Sequence, residues 1–193
     1  MLPDSLSIAL KEWALVQRAM LEGRQILLLR KGGLIEETGD FDLKAPAFLI
    51  MPTFIHETER AGDVQPACRA WLRAEEARRP AENRILFEAA CKVTSLVRVE
   101  DREPLKALAA SHVWSDSFID GRFDWEPYKP VFALLCRAFR LPAPVEIPYE
   151  SDYGGCRSWV ELRAPIDTRG ARPVLDYREY SRRAAEIARR LAG

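Results

Sequence analysis

The chain has 193 residues, an apolar fraction of 48% and equal numbers of basic and acidic side chains, 29 of each. That supplies one ordinary core, so a disordered chain is excluded and a single domain over residues 1–193 is expected. A formal net charge of zero argues against a protein that grips nucleic acid along an extended phosphate track, and leaves a local basic patch or the reading of a base.

In chain order, Asp4 or Ser5 can cap a first helix in which Leu6, Ala9, Leu10, Trp13, Val16 and Met20 fall at three- and four-residue steps. Gly23 is placed to end it in a left-handed conformation. A buried strand is predicted at Gln25 to Arg30, a polar loop or wide hairpin from Leu34 to Asp42, and a second strand at Ala47 to Met51. Pro66 opens a surface helix running to about Arg79, with Val64, Cys68, Trp71 and Leu72 on a thin apolar side.

From Arg84 the period changes to two, with Phe87, Ala89, Cys91 and Val93 on one face. Pro104 starts a short helix, Leu105 to Ala110. Val131 to Arg140 is apolar on both faces, as a central strand is. Leu141 to Pro144 reads as a stiff turn, Val145 to Pro148 as a short edge segment and Cys156 to Leu162 as a further strand. Asp176 to Glu179 has capping-box spacing before a final helix, about 176–191, whose stripe is Tyr177, Tyr180, Ala184, Ile187 and Leu191. Strands separated by loops, with helices at the ends, indicate an α+β fold: a central, mostly antiparallel sheet with an N-terminal and a C-terminal helix packed on it.

The longest apolar runs, 26–29 and 131–136, are strand-sized and far below the ~20 residues of a membrane span, so no membrane partner is expected. The N-terminus lacks the basic and apolar stretches of a signal peptide. Cys68, Cys91, Cys136 and Cys156 are widely spaced, and with only His56 and His112 to help they form no zinc pattern. Free thiols in a cytoplasmic protein, with no metal and no cofactor, are the expectation.

Two segments are candidates for reading a ligand. His112 and Trp114 alternate, so on an extended segment they face one way; an imidazole and an indole side by side can stack on a flat ring and bond its edge. The competing reading is a core tryptophan and a histidine capping the preceding helix. In Tyr153-Gly154-Gly155-Cys156 the glycines let the backbone approach a ligand closely, and Arg157 and Trp159 lie on one face of the next strand. Cys156 as a nucleophile would need a base beside it. Arg30 and Lys31, before Gly32-Gly33, form a loose phosphate corner, and His56 follows a strand end, a place that often carries function. Arg137 interrupts an apolar strand face; it is expected to be buried, paired with a carboxylate or carbonyls, and to support the Tyr153-Gly-Gly loop. A metal-dependent nuclease would draw on Asp42-Leu43-Lys44 with Glu36, Glu37 or Asp40.

Ala9 to Trp13, Ile26 to Gly33, Phe48-Leu49 with Pro52-Thr53 and His56, His112 to Ser115, Arg137 with Leu141-Pro142, and Tyr153 to Trp159 together resemble an uncharacterised bacterial domain-of-unknown-function family, over about residues 9–162. Some members of that family are joined to Mrr-type restriction endonuclease domains, which implies DNA restriction or defence and a restriction-type nuclease as partner. The layout from Arg84 to Pro148 is also similar to PUA-like base-reading barrels, which implies a partly closed barrel and the recognition of one flipped or unpaired base.

These observations converge on a non-catalytic module for a nucleic-acid base or nucleotide, with single-stranded or modified DNA, or a free nucleotide, as ligand. A metal-dependent nuclease or small hydrolase is the first alternative. A protein–protein interaction module, marked by an exposed apolar patch on the 66–79 helix, is the second.

Overall fold

In the computed structural model, which describes residues 1–31, 43–54, 59–155 and 157–191, the chain enters as a strand and not as a helix. β1 (Ser5–Trp13) runs straight into α1 (Ala14–Leu21). The helical spacing expected from Leu6 onward is therefore corrected for its first half. The cause is burial on both sides: Ala9 and Leu10 are successive residues and both fully buried. A strand covered on both faces shows no alternation, so its period is hidden. α1 ends as expected. Gly23, at φ +68°, donates to the Met20 carbonyl and Arg24 to that of Ala19, the paired bonds of a left-handed helix terminus.

β2 (Leu27–Lys31) and β3 (Ala47–Thr53) follow, then α2 (Arg69–Ala77), entered through a tight turn at Pro66–Cys68. β4 (Arg84–Val99) leads to α3 (Arg102–Ala107) and α4 (Asp116–Asp124). α4 has no clear apolar period in the sequence; it is set by Ser115, whose hydroxyl accepts from the Phe118 amide at 3.3 Å. β5 (Val131–Pro148) is one long strand, so the turn expected at Leu141–Pro144 and the separate edge segment after it are corrected. The β4–β5 register jumps from Ala89↔Arg140 to Phe87↔Val145. The two prolines, which cannot donate to a ladder, sit in that bulge. β6 (Trp159–Asp167), β7 (Arg172–Pro173) and α5 (Tyr177–Leu191) complete the chain. Asp176 caps α5 by accepting from the Glu179 amide at 2.8 Å. Tyr177, expected in the buried stripe, is exposed, while Tyr180, Ile187 and Leu191 are buried.

The strands form one sheet in the order β2-β5-β4-β3-β1-β6, with β7 also on β5; among the described residues only β1 and β3 pair in parallel. The hydrogen-bonded path is open, yet the sheet must curl. From Asp167 at the end of β6 to Arg172 at the start of β7 the chain advances five residues, at most about 18 Å. Across a flat sheet those strands would stand five spacings apart, about 24 Å. The curl gives two cores. One face carries α1, α3, α4 and α5 over Leu10, Phe48, Ile50 and Leu134. The other encloses Ala9, Leu49, Met51, Phe87, Leu141, Tyr153 and Leu162, drawn from strands and from the turn at Ser151–Tyr153.

Candidate nucleic-acid interface

The parallel strands β1 and β3 end side by side, with Lys11 opposite Met51, Glu12 opposite Pro52 and Trp13 opposite Thr53. A cleft of about 530 Å³ opens over these ends. Its other walls come from residues 79–86, where α2 passes into β4, and from the Tyr153-Gly154-Gly155 loop with Arg157 and Ser158.

The cleft is strongly basic. Lys11, Arg30, Arg60, Arg79, Arg84, Arg122 and Arg157 line it, against the carboxylates Glu12 and Glu82. Several of these cations have partners that fix them. Arg30 bonds buried Glu12 at 2.7 Å and the Lys11 carbonyl at 3.0 Å. Arg60 meets Asp63 at 2.5 Å, and Arg84 meets Glu146 at 2.7 Å. Arg122 and Arg157 pair with no carboxylate among the described residues. Arg157 is exposed. Burial first, and then repulsion from Arg30, lower the Arg122 pKa from its ordinary value, with Glu12 opposing them. A partly covered cation repelled by its neighbours is a site where an anion relieves cost.

Aromatic rings interleave with these charges. Trp13, Phe54 and Tyr149 line the same cleft. The guanidinium of Arg60 lies 5.7 Å from the Trp13 ring and that of Arg79 lies 5.6 Å from Phe54. Ring faces and guanidinium planes are the two surfaces on which unpaired bases stack.

The glycine loop is built to come close. Lys11 Nζ donates to the carbonyls of Gly154 and Gly155 at 3.1 and 2.9 Å. Gly155 has φ +73°, and a Cβ on Gly154 would stand 2.9 Å from the Tyr149 hydroxyl. Tyr153 anchors the loop, with its ring buried and its hydroxyl accepting from the Arg163 amide at 3.0 Å.

Of the residues singled out in the sequence, the structure therefore brings Arg30, Tyr153, Gly154, Gly155 and Arg157 into one cleft. His56, Cys156 and the acids Glu36, Glu37, Asp40 and Asp42 lie outside the described residues. The others are placed elsewhere. His112 is fully buried: its Nε2 donates to the Leu105 carbonyl at 3.0 Å, while Nδ1 accepts from the Trp114 amide at 3.2 Å. Burial holds its pKa below the usual imidazole value. Trp114 is buried too, stacked on Phe118 at 4.1 Å and edge-on to Trp13 at 4.9 Å. The expected ligand-facing pair is thus a pair of core side chains that backs the cleft wall through Trp13. Gln25 and Gln65 consume the polar groups around it, Gln25 Oε1 accepting from the Val113 amide and Gln65 Nε2 donating to the His112 carbonyl.

Lys31 is buried, and its ammonium donates to the Arg122 and Phe123 carbonyls at the end of α4, so it serves that helix terminus and not a ligand. Trp159 lies edge-on to Phe48 at 5.2 Å, half-buried. Arg137 is half-buried, with its guanidinium 5.4 Å from the Phe139 ring and 5.6 Å from that of Tyr177 on α5. Its expected carboxylate or carbonyl partner beside the glycine loop is corrected to this packing against two rings, which attracts the cation but leaves its buried Nε without a hydrogen-bond partner among the described residues. Large exposed apolar side chains among the described residues, such as Leu96, Trp125 and Tyr128, do not fall on α2.

A family profile described as a domain of unknown function, DUF1802, matches residues 9–186. The chain belongs to that family. No curated protein matches it. Among solved structures it is similar to crystal structures of ASCH from Zymomonas mobilis. One is a single-substitution mutant, with TM-score 0.45, 12% identity, and 96% of this chain and 99% of that one covered. Another is ASCH itself, with TM-score 0.43, 13% identity and 93% of each chain covered. A likeness of this size leaves the cleft to be read from its own residues.

Sequence reasoning missed Lys11, Trp13, Phe54, Arg60, Arg79, Arg84, Arg122 and Tyr149. Trp13 was assigned to a helix face, and Arg122 belongs to a helix with no period to announce it. One signal was present: arginines and aromatic residues cluster at element ends, Arg79 and Arg84 about a Pro-Ala break, and Tyr149 just before the glycine loop.

Proposed function

We propose that this DUF1802 chain is a binding module that holds a nucleotide unit of single-stranded nucleic acid in the cleft over the ends of β1 and β3. The observation that carries the reading is compositional and local: among the described residues, seven cations, two carboxylates and four aromatic residues line one cleft in a chain of zero net charge. Arg122 and Arg157 are the groups to meet phosphate, where a guanidinium can make paired bonds. Trp13, Phe54 and the guanidinium planes beside them offer faces to the base. The Gly154-Gly155 backbone, with the Gly154 amide bonded to Ser151 and both carbonyls held by Lys11, brings the Gly155 amide and the second lone pairs of those carbonyls close to the base edge or sugar.

A place in DNA restriction, which the family resemblance implies, would suit a module of this kind acting beside a nuclease. Fluorescence anisotropy with labelled single-stranded DNA and RNA, plain and base-modified, with free nucleotides as competitors, tests both points. Binding should weaken with salt, with a logarithmic slope of about −0.7 for each phosphate engaged. Preference for modified DNA over RNA would favour restriction. No binding to any of these at low salt would overturn the proposal.

A further inference from the structure

Arg60 and Arg122 line the cleft and also a second depression of about 480 Å³, on the far side of the same two side chains. Phe118 from α4 contributes to it, with the Arg122 guanidinium 5.0 Å from its ring. Ser117 adds a hydroxyl to the same wall, and Asp63 a carboxylate that holds Arg60 in place at 2.5 Å and leaves Arg122 as the cation without an acid partner among the described residues. At its rim stands Trp125, the residue that follows α4, 47% exposed. Each hollow falls within the range of a small-ligand pocket, roughly 300–1,000 Å³. Two such hollows joined across a pair of arginines repeat one chemistry, a cation between two aromatic surfaces. That is the repeat of a polynucleotide strand: phosphate between bases.

The geometry points to Arg60 and Arg122 as a saddle under one phosphate of a strand, with one nucleotide in the cleft and a neighbouring base stacked on Trp125 in the second depression. The site is thus a track for several nucleotides and not a receptor for a mononucleotide. This inference rests on the reading of the cleft as a nucleotide site. An exposed indole beside basic groups is otherwise an apolar liability on a soluble surface; as a stacking platform it tolerates any base.

The test compares a fluorescein-labelled mononucleotide with an octanucleotide, in the thymidylate and uridylate series, on wild type, Trp125→Ala and Trp125→Phe. Trp125 is half-exposed, so all three proteins should melt alike. The octanucleotide should bind wild type more tightly than the mononucleotide. Trp125→Ala should weaken the octanucleotide roughly tenfold, in line with the loss of one stacked base. It should leave the mononucleotide, which fills the cleft alone, unchanged, and Trp125→Phe should restore most of the loss. If the octanucleotide binds but Trp125→Ala does not weaken it, or the mononucleotide binds equally well, the track is wrong and the cleft reading stands. If neither ligand binds wild type, the cleft reading itself fails.

Discussion

The segment His112 to Ser115 and the loop Tyr153 to Ser158 have similar chemistry in the sequence, aromatic rings beside polar groups, and opposite fates in the structure. In the first, every hydrogen-bonding group around His112 finds an internal partner: Leu105, Trp114, Gln65 and Gln25 close the set. A histidine so satisfied has no bond left to offer. In the second, two glycines keep side chains out of the way, Lys11 fixes the backbone from behind, and Arg157 projects without a carboxylate partner among the described residues. The difference teaches that residue type nominates a surface while backbone accounting decides it. A buried polar group is paired inside the fold, and a ligand-facing one is held in place but left incomplete.

The comparison can be broken first at Trp114. Trp114→Ala removes a buried ring that touches Trp13 and Phe118, and should cost about 3–5 kcal/mol of stability in urea or thermal denaturation. If that variant keeps its stability but loses only ligand binding, the assignment of Trp114 to the core is wrong. Next comes Gly155→Ala, which asks an alanine to adopt φ +73°. It should cost about 1–2 kcal/mol and weaken oligonucleotide binding more than that loss explains, because the loop shifts.

Protonation sharpens the contrast further. His112 has its folded-state pKa lowered by burial from the ordinary 6.5. The unfolded chain therefore binds its proton first, and stability rises with pH across that interval. The contribution is fully present above about 6.5 and is lost as the pH falls through the lowered value of the folded state. Thermal melts from neutral pH downward should show this slope in wild type and a shallower one in His112→Gln. Equal slopes would mean that the imidazole is not the buried, neutral group described. The smallest effect on stability belongs to Arg157→Ala, within about 0.5 kcal/mol as for an ordinary surface change. The salt slope of single-strand binding should nevertheless fall by about 0.7, the share of one phosphate contact.

Much of the fold was legible because its elements carry their own signals. Gly23, Pro66, the alternation from Arg84 and the Asp176 cap each state a local rule that the chain obeys. The failures have two causes, both set by tertiary structure. β1 is buried on both faces, so Leu6, Ala9, Leu10 and Trp13 mimic a helical stripe. Leu141 to Pro144 looks like a turn, but tertiary pairing carries the strand through as a bulge. The smaller part of the candidate site was legible: Tyr153, Gly154-Gly155 and Arg157 are neighbours in sequence. Lys11 lies on β1, Arg60 in the segment before Pro66, Arg79 just after α2 and Arg122 on α4, and only the curl of the sheet and the packing of α4 bring them together. No spacing rule in one sequence reports that convergence.

The most direct test of the central claim, that the basic cleft and not the His112–Trp114 segment meets the ligand, is amide chemical-shift mapping of the isotopically labelled protein titrated with a single-stranded octanucleotide. The cleft assignment predicts saturable shifts at Trp13, Arg30, Arg122, Gly154, Gly155 and Arg157, with His112 and Val113 unmoved behind the wall. Shifts that centre on His112 and Val113 and leave the glycine loop untouched would contradict it.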